Sequence, residues 1–314
     1  MIGAPQTAVN GTHPDAVNAA DVALAGIPVE HSDLPPFQLP AEPVTLIEPD
    51  TGRFGQLARD LWNFRELLAF LTWRDIKIRY KQTALGAAWA LLQPLTTMLI
   101  TAVFFGKLGG LEAKTGGTPY PLFVFAGLLP WTFIANAVQN GGNSLVSNSN
   151  LMTKVFFPRL LLPAATVLGG LVDLAISFLL LDIIMGYYGV MPGRAVFLLP
   201  FLLILLTLLA AAIGSLLAGL TVRFRDVRYA LPLLVQSWML LSPVIWPPSL
   251  VPAAFRPYLA LNPMTGILDG FRACLLNKPL PWGELGISTV VTLVLLVFSV
   301  RAFRRMEAFF ADII

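Results

Sequence analysis

One run with no charged side chain, from Leu85 to Gly106, constrains this chain more than any other feature. A helix crosses the hydrocarbon core of a bilayer in about 20 apolar residues, and this run is long enough. A basic, amphipathic stretch, LTWRDIKIRYKQTA from Leu71, leads into it. Arg74, Lys77, Arg79 and Lys81 stand directly before the uncharged residues. Lys and Arg close to the end of a first span hold that end in the cytoplasm. Each later loop then acquires a side, and the work of the chain belongs in a membrane.

Composition points the same way. Of 314 residues, 56% are hydrophobic and only 12% charged, where a soluble domain carries about 25% charged residues. The net charge of +3 is small, and the basic residues gather at the ends of apolar runs. That pattern reads as topology and not as affinity for nucleic acid. Cys274 is the one cysteine, and His13 and His31 are the only histidines. A zinc site of ordinary Cys/His composition is excluded on ligand count, and no metal site is expected. The start, MIGAPQTAVNGTHPD, lacks the basic and apolar regions of a cleavable signal peptide.

The expected architecture is all-α and polytopic, with six transmembrane helices. Residues 1–52 carry no Lys or Arg, seven acidic residues and eight prolines, and are expected to form a disordered acidic tail. Two roles fit the tail, a solvated segment or a docking segment, and PVTLIEP (Pro43–Pro49) is its most strand-like piece. Residues 53–314 form the transmembrane domain. It opens with an amphipathic interface helix over 54–81, in which Leu57, Leu61, Phe64, Leu68 and Leu71 recur at steps of four and three. Spans are predicted at about 85–105, 120–146, 160–187, 195–222, 230–246 and 285–300. Prolines interrupt residues 246–284, where Arg256, Asp269, Arg272 and Lys278 add charge. That segment is expected to form short or re-entrant helices on the outer side, because non-helical backbone at membrane depth needs protein or water around it. With both termini inside, fifteen of the 21 Lys and Arg fall in cytoplasmic segments, which favours an even number of spans.

The chain has no G-x-x-x-x-G-K-[ST] loop to cradle ATP, no H-E-x-x-H and no G-x-S-x-G. Asp173 stands near the middle of the third span, in LVDLAISF, where an ionisable group is expensive. Its expected role is structural, hydrogen-bonded to a group such as Gln139 or Gln236, with a transport role as the alternative.

Several long blocks then resemble one family in the same order. RDIKIRYKQTALGAAWALLQP, Gly127–Pro163, RFRDVRYALPLLVQSWMLLSPVIWP and LNPMTGILDGFR are similar to segments of ABC-2 type permeases that export O-antigen, capsule and teichoic acid. The resemblance covers about Leu57 to Phe303. It implies a homodimer in a bacterial inner membrane, with N- and C-termini cytoplasmic, carrying a lipid-linked polysaccharide. It also implies a separate ABC ATPase in two copies, which would hold the ATP and Mg, so that no cofactor is expected in this chain and no catalysis of its own. The loop Ser147–Pro158 matches the family's ATPase-coupling element, with Asn150, Leu151, Lys154, Phe156 and Phe157 as candidate contacts. The resemblance further implies a channel lined by aromatic rings, for which Trp89, Trp131, Phe133 and Trp238 are candidates. Arg74, Lys77, Arg79 and Lys81 are candidates for the lipid diphosphate at the inner rim. The competing readings are an ABC-2 permease for a lipid, a drug or another cargo, and a membrane-embedded transferase. The transferase would need paired carboxylates or a His/Asp set, and none is visible.

Overall fold

The computed structural model describes Arg59, residues 61–81 and residues 88–313. The acidic tail, the Pro43–Pro49 piece and the entry to the first span at Leu85 lie outside the described residues. Among the described residues the chain is helical throughout, without a strand. Helix α1 is Arg65–Lys81, and α2 is Ala88–Thr101, continued by a π-helix over Ala102–Leu108. Helix α3 is Tyr120–Ser147, α4 is Ser149–Met152 and α5 is Leu161–Tyr187. A 3-10 turn, Arg194–Leu198, leads into α6, Leu199–Arg223. Helices α7 (Val227–Leu241), α8 (Arg256–Ala260), α9 (Pro263–Leu275) and α10 (Trp282–Ile313) complete the chain.

Five of these helical segments are long and apolar enough to cross a bilayer: Leu91–Leu108, Tyr120–Ser147, Leu161–Tyr187, Arg194–Arg223 and Trp282–Glu307. Helix α3 is the core of the bundle. Its most apolar window is 78% buried, against 22–33% in the other four. Helices α2, α5, α6, α7 and α9 all pack around it. Gly141 allows the closest approach to α6, since a Cβ there would sit 3.4 Å from the Cα of Gly214. Such small-residue contacts replace the hydrophobic drive that helices lack inside lipid.

A cluster of Leu71, Leu145, Phe157, Leu161, Val222 and Phe303 gathers one end of the bundle, here the loop end. It joins α1, the end of α3, the start of α5, the end of α6 and the late part of α10. At the far end, the Tyr120 Oη donates to the carbonyl of Ile245 at 2.9 Å, and Lys278 Nζ donates to the carbonyl of Thr115 at 2.8 Å.

Helix α7 differs from the span expected at 230–246. It has only 15 residues, which is about 22 Å of helix against a core of about 30 Å. The backbone turns extended at Ser242, and Pro243 has no N–H to continue the helix. The chain still travels the length of α3, because Ile245 reaches Tyr120 at the far end.

The freed carbonyls are answered by a buried cation. Arg272 is 2% exposed, and its Nη1 and Nη2 donate to the carbonyls of Pro243 and Val244, each at 2.6 Å. It also donates to the carbonyl of Phe123 at 3.3 Å and to Asp269 Oδ1 at 3.2 Å, and its guanidinium lies 3.8 Å from the centre of the Phe123 ring. Gly127 leaves the space, since a Cβ there would be 2.5 Å from the Arg272 Nη2. The carrier of this arginine, α9, is no surface helix: twelve of its 13 residues are buried. Asn262 caps it by accepting from Met264 N at 3.1 Å, with Pro263 at the first turn. The segment after Trp246 thus forms short helices, as expected, but α9 is wedged into the bundle.

Helix α1 also departs from a helix lying flat in an interface. Leu71 is buried with Leu161, Leu162 and Ala165 of α5. A Cβ on Gly169 would meet Ile76 at 3.8 Å. Asp173 is held by Arg79 and Tyr80. The helix therefore runs alongside α5 from its start to its middle, and its Lys81 end lies at mid-bundle depth.

Candidate functional site

The loop between α3 and α5 is built as a braced hairpin. Asn148 ends α3, donating from Nδ2 to the carbonyl of Ser144 at 2.8 Å. Its Oδ1 accepts from Arg74 Nη2 of α1 at 2.9 Å, and Arg74 also pairs with Asp75 at 2.8 Å. On the other flank, Arg159 Nη1 donates to the carbonyl of Glu307 in α10 at 3.1 Å. The loop is tied on one side to the first helix and on the other to the last.

Between these ties a short apolar tip is presented. Asn150, Lys154, Val155 and Phe156 are exposed, and Phe156 is 80% exposed. Phe157, next to it, is 5% exposed and sits in the loop-end core. Leu151 is half-buried against the same core. Phe157 and Leu151 are therefore anchors facing the bundle, while Asn150, Lys154 and Phe156 face outward. Val155 joins them, although the sequence reading passed over it.

The four basic residues of α1 separate in the same way. Arg74 is engaged with Asp75 and Asn148, and Arg79 with Asp173. Lys77 and Lys81 are exposed, one helical turn apart, with no ion pair among the described residues. Asp173 meets neither Gln139 nor Gln236. Its partners are Arg79 and Tyr80, whose hydrogen bonds satisfy both carboxylate oxygens.

Of the four aromatic candidates, Trp131 and Phe133 are each 4% exposed. Trp131 meets Trp238 edge to face, with centroids 5.4 Å apart, and Phe133 packs over Gly170. The half-buried Trp238 donates from Nε1 to Asn262 Oδ1 at 3.0 Å, and Asn262 donates onward to Ser242 Oγ at 2.9 Å. Within one chain these rings are packing elements that fasten the broken end of α7 to the cap of α9. The side chain of Trp89 lies outside the described part. The sequence assigns no role to Arg272, Asn262 or Glu307, although the first two stand in the block LNPMTGILDGFR. Asn-Pro before an apolar run is a readable start signal for α9, but it does not disclose that its Asn also reaches Trp238.

Residues 66–276 match the model of the ABC-2 type transporter family. The chain belongs to that family. It is 30% identical to the O-antigen export system permease protein RfbA of Myxococcus xanthus, over 82% of this chain and 98% of that protein. Over 79% of this chain it is 23% identical to 95% of an O-antigen export system permease protein RfbA of Klebsiella pneumoniae. It is 24% identical to the polysialic acid transport protein KpsM of Escherichia coli, over 74% of this chain and 91% of that protein. An ABC-2 permease is a membrane transport protein, and the braced loop and the α1–α5 clamp are the features of this one that geometry brings together.

Proposed function

We propose that this chain is the membrane subunit of an exporter that moves a lipid-linked polysaccharide, such as an O-antigen, across a bacterial inner membrane. The observation that carries the cargo is the similarity, over nearly the whole length of the relatives, to permeases named for O-antigen and polysialic acid. Two copies form the pathway, and a separate ABC ATPase, also in two copies, binds and hydrolyses ATP with Mg. The loop end faces the cytoplasm, with both termini, because Lys154, Arg159, Arg223, Arg225, Arg228, Arg301 and Arg305 concentrate there. The chain then crosses six times, with α7 and its extended tail as the fifth crossing.

The mechanism follows from the ties. The ATPase engages the exposed tip at Asn150, Lys154, Val155 and Phe156. A push on that tip is carried into α3 and α5 directly, into α1 through Arg74, and into α10 through Arg159. Helix α1 moves with α5 because Arg79 and Tyr80 grip Asp173. Lys77, exposed one turn beyond the Arg74 tie, is the cation of α1 nearest the inner rim for a lipid diphosphate, and Lys81 stands about 6 Å deeper along the helix, where a phosphate attracts a Lys as a point charge.

The test is genetic and biochemical together. Deleting the gene removes polysaccharide from the cell surface and leaves polymer inside. The tagged chain, restored in full length, co-purifies with an ABC ATPase. Surface polysaccharide at the parental level in the deletion strain overturns the cargo. Absence of any ATPase from the purified complex overturns the coupling.

A further inference from the structure

The exposed faces of most helices here are apolar, as lipid requires. Leu179 and Ile183 of α5, Ile204 of α6, and Val290 and Val294 of α10 are 60–70% exposed. The inner half of α3 breaks that rule. Its residues that are not buried include Thr132, Asn136, Gln139, Asn140, Asn143 and Ser147. The four amides fall within an arc of about 100° and lie about 6–17 Å from the Ser147 end, at hydrocarbon depth.

These amides are not used up by the fold. Thr132 donates to the carbonyl of Leu128 at 2.7 Å, and Asn143 Nδ2 to the carbonyl of Gln139 at 2.9 Å. The Asn143 Oδ1 is buried with no partner. The side chains of Asn136, Gln139 and Asn140 make no hydrogen bond among the described residues. Helix α7 meets α3 on either side of this stretch, with Leu231 at Gly142 and Trp238 at Trp131. An unpaired amide in hydrocarbon costs several kcal/mol. A row of them is tolerated where it meets water or a polar occupant.

We propose that this amide face is the wall along which the polymer slides: a wetted, uncharged track for a polyhydroxylated glycan chain. The inference rests on the polysaccharide reading above and deepens it. An amide both donates and accepts, as each sugar hydroxyl does, so the two can exchange bonds with each other and with water at every step. The stripe holds no ionisable group, which is unlike an ion or proton path. Amides and hydroxyls dominate the arc, with Val146 at its edge, which is unlike the mostly apolar pocket that takes a drug or a lipid tail. A second copy of the chain could also pair amides across an interface, and the experiment separates the two.

Asn136→Cys and Asn140→Cys are introduced singly into the full-length chain, expressed with its ATPase in cells that make the polysaccharide. Ile183→Cys and Ile204→Cys serve as lipid-facing controls, and the native Cys274 is buried and silent. Inverted membrane vesicles receive a charged, membrane-impermeant thiol reagent. Only a thiolate that meets water reacts, so the amide positions label at least about tenfold faster than the controls. Their labelling slows in vesicles from cells that synthesise the glycan, compared with cells blocked in its synthesis. Asn140 is exposed, so its substitution suffices should Asn136→Cys fail to accumulate. Labelling as slow as at Ile183, with or without glycan, overturns the track and favours a face sealed by protein. Fast labelling that ignores glycan overturns the occupant. If deletion of the gene leaves surface polysaccharide intact, the polysaccharide reading itself has failed. If deletion abolishes it and labelling is slow, only the track has failed.

Discussion

Adjacent residues of the loop carry opposite expectations. Phe157 fills the loop-end core, and Phe157→Ala is expected to destabilise the protein by about 3–5 kcal/mol. Phe156 touches almost nothing in this chain. Phe156→Ala is expected to leave the melting temperature unchanged and to weaken ATPase binding about tenfold, or about 1.4 kcal/mol. Melting curves in detergent and the amount of ATPase retained on the tagged permease check the pair. A loop has no period, so nothing in the letters FF says which ring turns inward. Asp173 is a similar case. Its place in an apolar run announces a partner, but that partner is 94 residues away, and no local pattern points to Arg79. Asp173→Asn removes a charge-assisted pair and is expected to lower stability by about 1.5–3 kcal/mol. The reversed pair Arg79→Asp with Asp173→Arg recovers part of it, whereas either reversal alone does not.

Helices read well from the sequence where their length and apolarity decide the matter. The spans at α3, α5 and α6 follow from long apolar runs, and the helix ends fall within a few residues of those expected. Helix α7 is harder, because its run continues apolar to Trp246 while the helix stops at Leu241. What ends it is Pro243, and what makes the ending tolerable is an arginine in a different element. Arg272→Met removes the donor from the carbonyls of Phe123, Pro243 and Val244, at about 1–3 kcal/mol for each group left bare. Gly127→Ala pushes a methyl group into the same guanidinium, with an expected loss of about 1–3 kcal/mol. Both should lower the folded yield on gel filtration, and Gly127→Ala should lower it less. Helix α1 shows the other limit. Its apolar face is visible from spacing and does pack, with Leu71 at the centre. Its inclination is not visible, since that is set by Gly169 and Asp173 on a neighbour.

Across the whole molecule, the alternation of helices brings the basic loops to one end and the far-end network of Arg272, Tyr120 and Lys278 to the other. Charge counting anticipates this division, because the bias acts on the same residues that cap the spans. It does not anticipate that the loop end is cross-braced from the first helix to the last, which is why a force on the hairpin can reach the entire bundle. That transmission is the central claim, and it is tested by measuring surface and intracellular polysaccharide in cells whose only copy carries Phe156→Asp. The account predicts polymer lost from the surface and held inside, while the permease remains in the membrane at its normal level. Polymer displayed at the parental level by that variant would contradict it.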